Sequence, residues 1–277
     1  MINYLVPDCW YEGVYKDKAS VINAARSFTI ENNNSRSVLL IHGYAGYPGE
    51  LIRPAVDIAK HGFDVFCPRL PGMGTSGKDF LSSTKNDWLK TVCNVVTDLK
   101  SRYSSVSIVS HSMGTLLALI AASKFDIDKV VLAAPAFNMP QLKRGQIKLV
   151  SLFKKDISIP WQSDSRYKLY YENAPCDDPL LGKEYWSHLY PKRLLDLDDL
   201  KNKALKLDNI KSKVLILECQ NDKVTDPKAC KEYLNNHKGI DVSIVEIENA
   251  THFVYYDIDK EAEERGVNAT LDFLLKE

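Results

Sequence analysis

The sequence predicts an α/β protein: a mostly parallel central sheet with helices on both faces and an inserted cap. Three observations predict it. Short, β-branched apolar runs alternate with segments of helical spacing along most of the chain. The runs are continuously apolar, as strands covered on both faces are, rather than alternating. The alternation then stops between about 136 and 207. That interval reads as an insertion of helices and loops, not as a further strand–helix–strand unit.

Each element follows from local chemistry. Residues 37–41 (Ser-Val-Leu-Leu-Ile) read as a buried strand that ends at His42 and Gly43. Residues 50–61 carry Leu51, Ala55, Ile58 and Ala59 at helical spacing and stop at Gly62. Residues 63–67 form the next strand, closed by Pro68. Asn86 is placed to cap a helix from Asp87 to about Arg102, with Trp88, Val92, Val95, Val96 and Leu99 on its apolar face. A strand at 106–109, a helix at 113–124 and a strand at 129–133 follow. Beyond the insertion lie strands at 214–217 and 242–247, with a helix near 229–237 between them and a last helix over about 260–275. Right-handed crossovers join such strands in parallel. The core is thus expected at 1–135 and 208–277, and the cap at 136–207, rich in aromatics (Trp161, Tyr167, Tyr170, Tyr171, Tyr185, Trp186, Tyr190).

Composition narrows the function classes. The chain has 277 residues, with 36 Lys and Arg against 36 Asp and Glu. A zero net charge disfavours nucleic acid, whose phosphates select basic surfaces. With 45% hydrophobic and 26% charged residues, the chain has a globular balance, not a disordered one. The six cysteines lack C-x-x-C spacing and read as reduced, mostly buried thiols. The first residues lack a basic and apolar leader, and no run approaches the roughly 20 apolar residues of a membrane span. A cytoplasmic setting is the expectation.

Ligands of open α/β sheets bind beyond the carboxyl ends of the strands. After 106–109 comes Ser110-His111-Ser112-Met113-Gly114, close to the G-x-S-x-G turn that lifts a serine hydroxyl out of a sheet. Ser112 is the candidate nucleophile; helix capping is its plainer role. A hydroxyl needs a base to take its proton. His252, after the last strand, is placed for that. A carboxylate must orient the imidazole. Asp222, in the turn after 214–217, is the candidate, with Asp226 as rival. An oxyanion needs amide donors: Met113, next to the nucleophile, and Tyr44, in the loop after 37–41. This chemistry requires no metal and no organic cofactor.

These residues resemble a known family. The segments 39–43 (Leu-Leu-Ile-His-Gly), 68–76 (Pro-Arg-Leu-Pro-Gly-Met-Gly-Thr-Ser), 109–114, 221–224 (Asn-Asp-Lys-Val) and 250–253 (Ala-Thr-His-Phe) are similar to those of the α/β-hydrolase fold. They are most like its carboxylesterase and monoacylglycerol-lipase-like (lysophospholipase-like) branch. Ser110 and Thr251 stand where that family usually has glycine. The resemblance implies a serine hydrolase of carboxylic esters: short or medium acyl esters, monoacylglycerol or lysolipid. Other acyl, C–C bond or small-peptide hydrolysis on the same core is the alternative, as is a non-catalytic small-ligand receptor. The insertion lies where the family carries its lid. Its Trp161 and Trp186 either bind substrate in an acyl pocket or form the cap's own core. The basic, amphipathic stretch 141–155 can touch an anionic membrane surface or simply be a solvated cap helix. The expected partner is a small ester; nothing in the sequence sets the oligomeric state.

Overall fold

The computed structural model describes residues 1–5, 23–162, 164–168 and 182–276. Tyr170 and Tyr171, named above, and two of the six cysteines, Cys9 and Cys176, lie outside the described residues. In chain order the sheet strands are β1 (Asn3–Tyr4), β2 (Phe28–Ile30), β3 (Arg36–Ile41), β4 (Asp64–Cys67), β5 (Ser105–His111) and β6 (Lys129–Ala133). A small antiparallel pair, β7 (Ile157–Ser158) and β8 (His188–Leu189), precedes β9 (Lys213–Cys219) and β10 (Val242–Ile247). The helices are α1 (Ile52–Lys60), α2 (Gly77–Ser82), α3 (Lys85–Arg102), α4 (Met113–Ala122) and α5 (Arg144–Ser151). Three more follow: α6 (Pro191–Ala204), α7 (Lys228–Asn236) and α8 (Lys260–Leu275).

The main sheet has the order β1-β2-β4-β3-β5-β6-β9-β10. Its pairings from β4 through β10 are parallel, while β1 and β2 run antiparallel. The mostly parallel sheet predicted from sequence is therefore present, and structural relatives described below share its fold. Successive side chains of a strand face opposite ways. Hence Leu39, Ile41, Ile108, Val130, Leu132, Val214 and Ile216 join one core layer with α3 and α4. Val38, Leu40, Val109, Val131, Leu215 and Leu217 join the other, with α1 and α8. Continuous apolar strands are the sequence mark of this two-sided burial.

Three local expectations are corrected. Thr84, not Asn86, starts α3: Asp87 Oδ2 accepts from the Thr84 amide at 2.9 Å and from its hydroxyl at 2.8 Å. A carboxylate at the third helical position can reach back to the preceding chain in this way, and Asn86 has no such partner. Second, the helix expected from residue 50 begins as a 3-10 turn, Pro48–Leu51, before α1. Third, β10 is not covered on both faces. It is the last strand of the sheet, and Ser243, Val245 and Glu246 are exposed.

The 136–207 segment has two parts. Helix α6 lies against α3 and α4 and places Leu197, Leu200 and Ala204 in the core. Helix α5 buries no residue and leans on α6, with Arg144 Nη1 at 2.6 Å from Asp198 and 2.7 Å from Asp199.

Helix α4 has all ten residues buried, so it must approach the sheet closely. Gly114 permits this: a Cβ there would sit 2.3 Å from the Ile41 carbonyl oxygen and 2.8 Å from that of His42. Both contacts are backbone and cannot swing away. Gly114→Ala is expected to cost about 3 kcal/mol and to lower Tm by roughly 6–12 °C. Gly145, in exposed α5, has nothing within 4 Å of an added Cβ. Gly145→Ala should leave Tm unchanged or raise it slightly, since alanine favours a helix by up to about 1 kcal/mol. Thermal unfolding of both variants checks the contrast; a G114A protein as stable as wild type refutes it.

Candidate active site

Ser112 occupies the single residue between β5 and α4. Its backbone has φ 52° and ψ −119°, a left-handed conformation that costs a non-glycine residue about 1–3 kcal/mol. The turn is held from both sides. The Ser112 amide donates to the Ala133 carbonyl at 3.0 Å, and its own carbonyl accepts from the Thr115 amide at 3.1 Å. Ser110, which replaces the family's glycine, is absorbed by a bond of 2.7 Å from its hydroxyl to the Val131 carbonyl. Its small side chain thus ties β5 to β6.

His252 reaches Ser112 from the loop after β10. Its Nε2 lies 2.8 Å from Ser112 Oγ, and its Nδ1 lies 2.7 Å from Asp222 Oδ2. The carboxylate accepts the Nδ1 proton, which leaves Nε2 with the lone pair facing the hydroxyl. Asp222 is fixed by further donors: the Val224 amide at 2.7 Å, the Thr225 amide at 2.9 Å and the Thr225 hydroxyl at 2.7 Å. Burial raises the Asp222 carboxyl, but the bonds from His252 and Thr225 outweigh it and hold it below the usual carboxylate range. Asp226, the rival, instead accepts from the Lys228 amide at 3.1 Å at the start of α7. Burial lowers the His252 imidazole, its bond to Asp222 opposes this, and the net position is below the ordinary histidine value. Thr251, the second departure from glycine, donates to Asp257 Oδ2 through its amide at 2.7 Å and its hydroxyl at 2.9 Å. It anchors the loop that carries His252.

The loop after β3 brings Tyr44 beside this turn. Gly43 is close to the elbow: a Cβ there would be 3.2 Å from Ser112 Cβ. His42 braces the loop, with Nδ1 donating to the Gly43 carbonyl and Nε2 accepting from the Leu70 amide, each at 3.0 Å. A second proton on that ring would oppose the Leu70 amide, and burial lowers the imidazole to about 4. The Tyr44 ring is set edge-on against Phe80 and Trp88, with centroids 5.2 and 6.4 Å away, and so anchors the backbone that bears its amide. Met113 is the first residue of α4, where amides have no partner within the helix and the helix dipole is positive. The Met113 amide thus belongs to a buried helix, and the Tyr44 amide to a loop braced by His42.

Trp186 meets this loop directly: its Nε1 donates to the Ala45 carbonyl at 2.8 Å. Trp161 stacks one ring further out, 6.2 Å from Trp186, and covers Gly182. Three further residues lie near Ser112 and His252; the sequence assigns no role here to His111 or Glu50 and places Tyr167 only among the aromatics of the insertion. Tyr167 lies edge-on to Phe253, 5.1 Å away, and hydrogen bonds Thr251. His111 and Glu50 lie buried behind Ser112, within 3.4 Å of each other. His111 was legible as an ionisable residue inside the elbow itself. Glu50 and Tyr167 carry no local signal, because only the fold brings them there.

Comparison with known proteins agrees with this geometry. The family model described as serine aminopeptidase, S33, matches residues 32–259. A thermostable monoacylglycerol lipase of Bacillus sp. (strain H-257) is 29% identical over 243 residues, covering 87% of this chain and 91% of that protein. Among solved structures, a metagenome-derived lipolytic enzyme has a TM-score of 0.74 at 22% identity, with 91% of this chain and 99% of the other covered. The monoacylglycerol lipase of Paleococcus ferrophilus has a TM-score of 0.71 at 21% identity, with 90% and 97% covered. The matched segment runs from just before β3 to beyond His252, so the chain belongs to the serine aminopeptidase S33 family of the α/β-hydrolase superfamily.

Proposed function

We propose that the protein hydrolyses carboxylic esters, either short or medium acyl esters or a monoacylglycerol or lysolipid, through an acyl-enzyme on Ser112. The carrying observation is the contact chain from Ser112 Oγ to His252 Nε2 at 2.8 Å and from His252 Nδ1 to Asp222 at 2.7 Å. His252 accepts the hydroxyl proton as Ser112 Oγ bonds to the ester carbonyl carbon. Asp222 holds the imidazolium that forms. The amides of Tyr44 and Met113 receive the oxyanion. His252 passes the proton to the leaving alkoxide as the acyl–oxygen bond breaks. Water, deprotonated by the same base, then releases the acid.

The lipase-like substrate is supported by the Bacillus relative, which is named a monoacylglycerol lipase and extends over nearly the whole chain. In this reading the 136–207 insertion is a cap over the site, and Trp186 and Trp161 stand at the substrate's entry beside the oxyanion loop. The cap also carries an exposed apolar face, Leu149, Leu152 and Phe153, among Lys148, Lys154 and Lys155. Such a face suits an anionic lipid surface, to which each nearby lysine adds about 1 kcal/mol. No helix among the described residues is long and apolar enough to cross a membrane. Cys67, Cys93, Cys219 and Cys230 are free thiols, in keeping with a reducing, cytoplasmic setting.

Wild-type protein should label with a fluorophosphonate at Ser112 and hydrolyse p-nitrophenyl esters and monoacylglycerols far faster than aminoacyl anilides. Ser112→Ala should abolish labelling, and Asp222→Asn should lower kcat roughly 10⁴-fold. Full esterase activity in S112A, or a preference for anilides, refutes the reading.

The acid limb of kcat/KM reports protonation of the free enzyme's base. His252 must be neutral to act, and its imidazole titrates below the ordinary value. Activity should therefore persist below pH of about 6.5 before it falls. An acid limb centred above that value contradicts the assignment.

Phosphatidylglycerol vesicles should sediment the wild type more than phosphatidylcholine vesicles do. A Leu152→Ser/Phe153→Ser protein should stay in solution with either. Equal binding to both lipids, or none, rejects the proposed lipid contact.

A further inference from the structure

Behind the Ser112–His252 contact lies a second pair of buried ionisable side chains that the acyl-transfer steps do not use. His111 ends β5, one residue before Ser112, and its side chain is 4% exposed; that of Glu50, in the turn before α1, is 12% exposed. His111 Nε2 is 2.7 Å from the His252 carbonyl oxygen and donates to it. His111 Nδ1 is 3.4 Å from Glu50 Oε2. The same carboxylate oxygen accepts from the Gly43 amide at 3.4 Å. Gly46 makes the space for it, since a Cβ there would fall 2.1 Å from Glu50 Oε1. One chain of contacts thus runs from the oxyanion loop through Glu50 and His111 to the backbone of the base itself.

Both ring nitrogens of His111 face acceptors, a carbonyl on one side and a carboxylate on the other. The ring is thus held between the His252 carbonyl, to which Nε2 donates, and the Glu50 carboxylate beside Nδ1. Burial raises the Glu50 carboxyl, but the His111 bond, His42 and the Gly43 amide outweigh it, so Glu50 stays ionised. The ring centres of His111 and His252 are 5.0 Å apart.

We propose that Glu50 and His111 are a positioning pair that fixes the oxyanion loop and the His252 loop relative to Ser112. This rests on the serine hydrolase reading above. The charged or titratable groups facing His252 are Asp222 on the loop after β9, His111 on β5 and Glu50 on the turn before α1. Glu50 is faced in turn by His42, which Arg69 flanks. Removal of His111 takes away the donor that holds the His252 carbonyl, and removal of the Glu50 carboxylate takes away the acceptor of the Gly43 amide in the oxyanion loop.

The test uses His111→Gln, which retains one donor, Glu50→Gln, which retains shape, and the double variant, each beside wild type. In both single variants kcat should fall about 10- to 100-fold while KM changes less than about threefold. The double variant should lose no more activity than H111Q alone, as two members of one unit do. An H111Q protein with kcat within twofold of wild type overturns the pair. Should H111Q not fold, E50Q decides. A lowered kcat at an unchanged Tm supports the pair, and an unchanged kcat overturns it. A wild type that neither labels with fluorophosphonate nor cleaves esters overturns the hydrolase reading, and this inference with it. An active, labelled wild type with unaffected variants overturns the positioning pair alone.

Discussion

The backbone at Ser112 turns from strand to helix in one residue, and it does so in a left-handed conformation that a serine resists. The strain persists because the neighbours leave no alternative. Helix α4 is buried on every side and held down against the Ile41 and His42 carbonyls by the bare Cα of Gly114. The Ser112 amide is tied to Ala133 on the adjacent strand. Much of the site follows from this one constraint. Gly43 must be bare because Ser112 Cβ stands over it, and Ser110 must be small where β5 meets β6. The packing of two core layers thus holds a hydroxyl in a place that no local preference would choose.

The second theme is the charge state of buried groups. His42 and His252 sit in surroundings that favour their neutral forms, while Asp222 and Glu50 are ionised because donors converge on them. The same burial that disfavours a proton on His252 also excludes water, which strengthens the Asp222 bond once an imidazolium forms. Resting neutrality and stabilised charge in the transition state are opposite demands. Here burial favours the neutral ring and the carboxylate on Nδ1 stands ready for the charged one.

Much of this was legible in the chain. The strands at β3, β5, β6 and β9 were plain as apolar runs, because two-sided burial removes the polar alternation that other strands show. Ser112, Asp222 and His252 were legible because each follows a strand end with turn-forming neighbours. What stayed hidden depends on long-range contact. The short antiparallel strands β1 and β2, two and three residues long, carry too little pattern to be seen. The start of α3 was missed by two residues because the decisive signal was Asp87 reaching back to Thr84, not the identity of Asn86. Glu50 reads as an ordinary residue at a helix start, and only the fold places it under Gly43 and His111, 61 positions away from the latter. Tyr167 likewise meets Phe253, far along the chain, only through the fold.

The outer position of β10 has a further consequence. Among the described residues this strand is bonded on one side only, to β9, and it carries Glu246, which pairs with Lys231 at 2.7 Å. Charge on a free edge discourages a second chain from adding there. The same strand delivers His252, whereas Ser112 hangs from the middle of the sheet, between β3 and β6. Ser112 and His252 therefore hang from strands of unequal pairing: β5 is bonded to β3 and β6, and β10, among the described residues, to β9 alone.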